Sequence, residues 1–94
     1  MTAPPDHHVR VYIPSPLRTY TAQSEVVDAQ GSTLDELLRQ LDESYPGMRF
    51  RIIDEQDRIR RHIRIFINET EAEDLARALR PDDRVHILCA LSGG

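Results

Sequence analysis

The sequence predicts an α+β domain in which one main helix packs across a mixed sheet. Three observations predict it. Apolar residues alternate with a period of two at Val9-Val11-Ile13, at Ile63-Ile65-Ile67 and at Val85-Ile87-Cys89-Leu91, the mark of half-buried strands. One segment, Leu34 to Tyr45, carries an apolar stripe at helical spacing. The elements follow the order hairpin, helix, strand, short helix, final strand, which places a crossing helix between the hairpin and the later strands.

Each element has a local reason. Arg10 and Tyr12 alternate with the first apolar set, and Pro14 and Pro16 end that strand. Leu17 to Gln23 reads as a turn or a slide into the next strand, and Glu25-Val26-Val27-Asp28 as a short second strand completing a hairpin. Gly31 breaks the chain. Thr33 with Glu36 three residues on forms a capping-box pair, and Asp35 and Glu36 occupy the first turn, where the helix dipole favours negative charge. Leu34, Leu37, Leu38, Leu41 and Tyr45 make the stripe, and Pro46-Gly47 stops it. Met48 to Ile53 is expected to form a short helical turn before the polar loop Asp54-Glu55-Gln56-Asp57. Glu69 to Arg80 holds Leu75, Ala76 and Leu79 and is expected to form a short helix. Pro81-Asp82-Asp83 reads as a turn. The last strand turns Val85, Ile87, Cys89 and Leu91 inward and His86, Leu88 and Ala90 outward. This order is that of the ubiquitin-like β-grasp, with the first and last strands side by side at the sheet centre.

Ninety-four residues suffice for one domain. Residues 1–7 read as a disordered lead without the apolar core of a signal peptide, residues 8–91 as the β-grasp domain and residues 92–94 as a flexible diglycine tail. No apolar run is long enough to span a membrane, and the single cysteine, Cys89, forms no internal disulfide and fits a reducing compartment. The expected location is cytoplasmic. A net charge of −4 argues against a nucleic-acid partner, because binding phosphates needs a basic surplus. The basic residues cluster nonetheless: Arg49, Arg51, Arg58, Arg60, Arg61 and Arg64 crowd the middle. They read first as a solvated face balanced by Asp54, Glu55 and Asp57, and second as a docking patch for an acidic partner. All twelve basic residues are arginine, so no ε-amine on this domain can capture an activated acyl group.

The chain ends Ser92-Gly93-Gly94 directly after a strand. Two glycines give a tail without side chains that can enter a channel where any Cβ would clash. Glycine makes up roughly 7% of residues, so a terminal pair arises by chance about once in 200 chains; the rest of the sequence must decide. The opening Val11-Tyr12-Ile13-Pro14 with Leu17-Arg18, the helix start Thr33-Leu34-Asp35-Glu36-Leu37-Leu38, Tyr45-Pro46-Gly47, Ile65-Phe66-Ile67-Asn68 and the ending from Val85 through Gly94 occur in order. With them the chain resembles the bacterial ubiquitin-like sulfur carriers of the ThiS/MoaD/CysO superfamily, from Val9 to Gly94.

The resemblance implies a carrier that performs no chemistry itself, a substrate of partner enzymes and not an enzyme. An E1-like adenylyltransferase would use ATP to adenylate the Gly94 carboxylate, and sulfur transfer would then displace AMP to leave a thiocarboxylate. No cofactor is expected on the carrier. The opening from Tyr12 to Arg18 looks most like carriers of the cysteine branch, the CysO type. There the acceptor is a PLP-dependent synthase and a metalloprotease releases cysteine. The small subunit of molybdopterin synthase, a ubiquitin-like protein modifier and a β-grasp interaction module with an accidental diglycine are the alternatives. The family usually has Pro where this chain has Cys89, and Gly where it has Asp82. Asp tolerates left-handed backbone, and Cys89 reads as a small buried hydrophobe, with a sulfur-relay thiol as the sharper alternative. The partner-binding surface is expected on the outer sheet face near the tail, at Phe66, His86, Leu88 and Ala90, with Ser92 and Gly93 as the tail and Gly94 as the reacting group. His7, His8, His62 and His86 lack ligand partners at metal spacing, and the acidic pairs Asp82-Asp83 and Asp42-Glu43 read as turn or surface residues.

Overall fold

The first and last strands meet at the centre of a five-stranded mixed sheet. The structure, a computed structural model, describes residues 8–90. The expected lead at 1–7, Leu91 and the 92–94 tail lie outside the described residues. The strands are β1 His8–Tyr12, β2 Val26–Gln30, β3 Ile63–Ile67, β4 Thr70–Ala72 and β5 Arg84–Cys89, in the spatial order β2-β1-β5-β3-β4. β1 pairs antiparallel with β2 and parallel with β5, while β3 pairs antiparallel with β5 and β4. β2 runs to Gln30, further than its Val-Val core suggested, because its pairing with β1 continues to His8.

Between β1 and β2 the chain makes a 3-10 helix, Ser15–Thr21, where a turn was expected. Arg18 Nε donates to the Ile13 carbonyl at 2.9 Å, which ties this helix back to the end of β1. Helix α1, Leu34–Ser44, crosses one face of the sheet and buries Leu34, Leu37, Leu38 and Leu41 completely. Each such leucine contributes about 1.5–3 kcal/mol of hydrophobic stabilisation. Thr33 Oγ1 accepts from the Glu36 N–H at 3.2 Å, and Glu36 Oε1 accepts from the Ser32 N–H at 3.0 Å. Gly47, at φ +95°, turns the chain into helix α2, Met48–Ile52, the short helix the sequence predicts. Asp42 Oδ1 accepts from the N–H groups of both Gly47 and Arg49 at 3.1 Å, stapling α2 to the end of α1.

The expected helix over Glu69–Arg80 is absent. Asn68, at φ 58°, closes a tight turn from β3 into the edge strand β4. Beyond it the chain runs past the start of α1. The Leu75 and Arg77 carbonyls accept from the N–H groups of Asp35 and Leu34, both at 2.9 Å. A helix leaves its first N–H groups without partners inside the helix. Here this segment's backbone fills them, so its carbonyls serve α1 instead of a helix of their own. Only Ala72 and Leu79 in the segment are fully buried, too little apolar face to hold a helix against the core. Asp82 adopts φ 72° in the turn before β5, the left-handed backbone that Asp tolerates.

Gly31 serves a close approach. A Cβ there would collide with the Leu37 backbone nitrogen and lie 2.7 Å from its Cα, where β2 meets α1. Gly31→Ala should cost about 1–3 kcal/mol through overpacking against backbone that cannot yield, read as a fall in the urea unfolding midpoint. Asp35 gives a second test. Its hydrogen bond from Arg39 Nε at 3.0 Å, together with Arg49 at 3.2 Å, holds its carboxyl below the ordinary value of 3.8. The folded state therefore binds fewer protons than the unfolded chain. The stabilisation is fully present above the ordinary carboxylate range and is lost as pH falls through the depressed folded value. Asp35→Asn should flatten that acid limb in pH-dependent melting, with little change in its shape near neutrality.

Candidate functional site

Strand β5 carries the chain toward Gly93-Gly94 and is hydrogen-bonded on both sides. Its alternation buries Val85 and Ile87 against the core and turns Arg84, His86 and Leu88 to the outer face, away from α1. Register then decides what surrounds them. His86 stands opposite Tyr12 on β1 and Phe66 on β3; Tyr12 stands opposite Val26, and Phe66 opposite Glu71. Val26, Tyr12, His86, Phe66 and Glu71 thus form one row across all five strands. The Tyr12 and His86 rings stack with centroids 4.3 Å apart and planes within 5°. Leu88, 48% exposed, sits one step closer to the tail, opposite Arg64.

Phe66 and His86 are half-buried, Leu88 and Ala90 exposed, all on or at the end of the outer face. The Ala90 N–H donates to the His62 carbonyl at 2.7 Å, carrying the pairing with β3 one residue past β5. Ser92, Gly93 and Gly94 lie outside the described residues. Cys89 stands opposite Ile63 and packs half-buried against the edge of the core. The outer face thus carries the stacked Tyr12 and His86 rings beside half-buried Phe66, with Val26 and Leu88 exposed.

Tyr12 and Val26 belong to this surface and were not among the residues expected there. Their outward direction was legible in the alternation with Val11, Ile13 and Val27. Their position beside His86 was not, because it follows from the parallel β1–β5 register. At the end of the sheet remote from the tail, His8, Arg10, Asp28, Asp82 and Arg84 line a shallow recess of about 440 Å³ with mixed charge. Among the described residues no three His, Cys, Asp or Glu side chains converge as a metal site would require, and no helix is long and apolar enough to cross a membrane.

A central C-terminal strand, a helix across one face and an open outer face leading to the chain end define a ubiquitin-like β-grasp protein. The ThiS family matches residues 11–94, and the chain belongs to that family. It is 33% identical to the sulfur carrier protein CysO of Mycobacterium tuberculosis over 92 residues, covering 93% of this chain and 99% of the relative. The crystal structure of Mycobacterium tuberculosis CysO superimposes with a TM-score of 0.83 at 32% identity, covering 88% of this chain and 99% of that one. CysO in the Amycolatopsis orientalis BexX/CysO complex gives 0.84 at 29% identity, covering 92% and 99%. The small archaeal modifier protein 1 of Methanosarcina acetivorans gives 0.78 at 24% identity over 95% and 98%, a likeness of fold alone. Membership in the ThiS/MoaD/CysO superfamily of ubiquitin-like sulfur carriers, expected from the order of motifs, is thereby established.

The register makes a sharp contrast between neighbours. Leu88→Asp should change stability by no more than about 0.5 kcal/mol, whereas Ile87→Asp, placing a carboxylate in the core, should cost more than about 4 kcal/mol. Thermal melting of both variants checks this.

Proposed function

We propose that this chain is a sulfur carrier whose Gly94 carboxylate is the group that partner enzymes activate and load. The observation that supports it most directly is that the family match runs through residue 94 and so takes in the diglycine itself. The fold supports it too: the strand leading to the tail is the central strand, locked between β1 and β3.

The chemistry follows from the poor electrophilicity of a carboxylate. One Gly94 oxygen attacks the α-phosphorus of ATP on an E1-like enzyme, pyrophosphate leaves, and an acyl-adenylate forms. A sulfide equivalent then attacks the carbonyl carbon, AMP departs with the former carboxylate oxygen, and a thiocarboxylate remains. ATP belongs to the partner, and the carrier binds no cofactor in this scheme. Its own residues have two tasks. The glycines enter the partner's narrow channel without a Cβ to obstruct them. The outer face, through Phe66, His86, Leu88 and Ala90 joined by Tyr12 and Val26, supplies the docking area that holds the tail in place.

The likeness to proteins named CysO supports the cysteine branch, in which a PLP-dependent synthase accepts the sulfur and a metalloprotease releases the product. The Amycolatopsis orientalis structure, a complex of BexX with CysO, supports delivery by direct docking of carrier on enzyme. Cys89 is read as packing at the edge of the core and not as a relay thiol.

Intact mass of the protein from its native host should show oxygen exchanged for sulfur at the C-terminus. Covalent attachment to target proteins without that exchange would instead identify a modifier. Removing Gly93 and Gly94 should leave the melting temperature unchanged and abolish ATP–pyrophosphate exchange by the activating enzyme. Persistent exchange with the truncated chain would show that the tail is not the substrate.

A further inference from the structure

We propose that a basic recess beside the root of the tail, on α2 and the approach to β3, is a second docking surface that takes an acidic face of the enzyme activating the tail. The inference rests on the sulfur-carrier reading and adds to it a surface separate from the outer sheet face.

Charge is segregated along this chain. Between residues 49 and 64 the sequence holds six arginines against three acids, Asp54, Glu55 and Asp57, so the segment is net positive within a chain of net charge −4, although Arg49 also pairs with Asp35 and Arg64 with Glu71. The three acids offset only half of that charge. Asp54 Oδ1 is spent on the loop, accepting from the N–H groups of Gln56 at 2.8 Å and Arg58 at 3.0 Å. Those bonds hold its carboxyl below the ordinary value. Asp57 lies 3.4 Å from Arg49, which also serves Asp35. None of the ion pairs among the described residues engages Arg51, Arg58 or Arg61, and all three are exposed.

Phe50, Arg51, Glu55, Arg60 and His62 line one recess of about 260 Å³. Phe50 is 58% exposed, an unusual place for a phenylalanine with no core role. Arg60 holds it in a fixed arrangement: its Nε donates to the Phe50 carbonyl at 2.7 Å, and its guanidinium carbon lies 4.5 Å from the ring centroid. Of the five guanidinium N–H donors one is used, leaving the others to meet a carboxylate while the ring supplies apolar contact. The Arg60 N–H also donates to the Ile52 carbonyl at 2.9 Å, which fixes this strand approach to α2.

The recess adjoins Ala90, the last described residue before the tail in sequence. His62, which lines it, accepts from the Ala90 N–H through its carbonyl. A protein that encloses the tail must therefore pass close to these arginines. An acidic face on the partner there would accelerate encounter and orient it, through the one strongly basic segment of a chain that is net acidic overall. The overall charge argues against RNA as the occupant.

The test uses the full chain and the purified E1-like adenylating enzyme encoded in the same genome, with ATP–pyrophosphate exchange read at low and raised salt. Arg51→Glu with Arg61→Glu should raise KM for the carrier about tenfold at low salt, leave kcat unchanged and abolish the salt dependence seen with the native chain. Arg77→Glu with Arg80→Glu changes the net charge equally at the far end of the sheet and should leave KM within about twofold. The neutral pair Arg51→Gln with Arg61→Gln should fall between and keeps the test readable if the acidic pair folds poorly. Equal effects from both acidic pairs, or none from the first, would overturn the surface. So would an unchanged KM alongside binding of a single-stranded RNA oligonucleotide that the Arg51→Glu, Arg61→Glu chain loses. No activation of the native chain at all would overturn the carrier reading itself, and this inference with it.

Discussion

The parallel pairing of β1 with β5 brings Val11 against Val85 and Tyr12 against His86, and the other features of the molecule hang on it. It joins the two ends of the described chain at the middle of the sheet, so neither end strand can leave without opening the core. It also gives β5 a partner on each side. Fraying of β5 is therefore checked, because loosening it would expose Val85 and Ile87, both essentially fully buried. The outer row exists only because this register sets His86 between Tyr12 and Phe66.

Helix α1 is stabilised from three directions that the sequence shows unequally. Its leucine stripe and its cap at Thr33 are local patterns and read directly. The contribution of Leu75 and Arg77, whose carbonyls meet the first helical N–H groups, is a tertiary effect without a local pattern. That is why Glu69–Arg80 misleads: Leu75, Ala76 and Leu79 are spaced for a helix, yet the segment's backbone is claimed by another element. The left-handed Asn68 is the residue that could have signalled the hairpin, since Asn is among the few types that accept such a turn.

The same division holds for the surface near the tail. Strand alternation told which side chains point outward, so Phe66, Leu88 and His86 were legible in the sequence. Adjacency across strands depends on pairing partners and register, which alternation does not encode, so Tyr12 and Val26 joined the surface only in three dimensions. The arginine cluster was visible as composition. Which arginines form ion pairs was not, because that turned on Arg49 reaching Asp35 and Asp57 and on Arg64 reaching Glu71 across the strands.

The closure of β1 on β5 spans nearly the whole chain, and long-range pairings of this kind pay their loop-closure entropy before they return any contact energy. During synthesis β5 is made after the other four strands of the sheet, so β1 and β3 have no partner on their facing edges until it arrives. The outer row of side chains and β5 itself therefore come into place together. An enzyme that recognises both together would pass over incomplete or unfolded copies, and quality control would be written into the topology without a separate device.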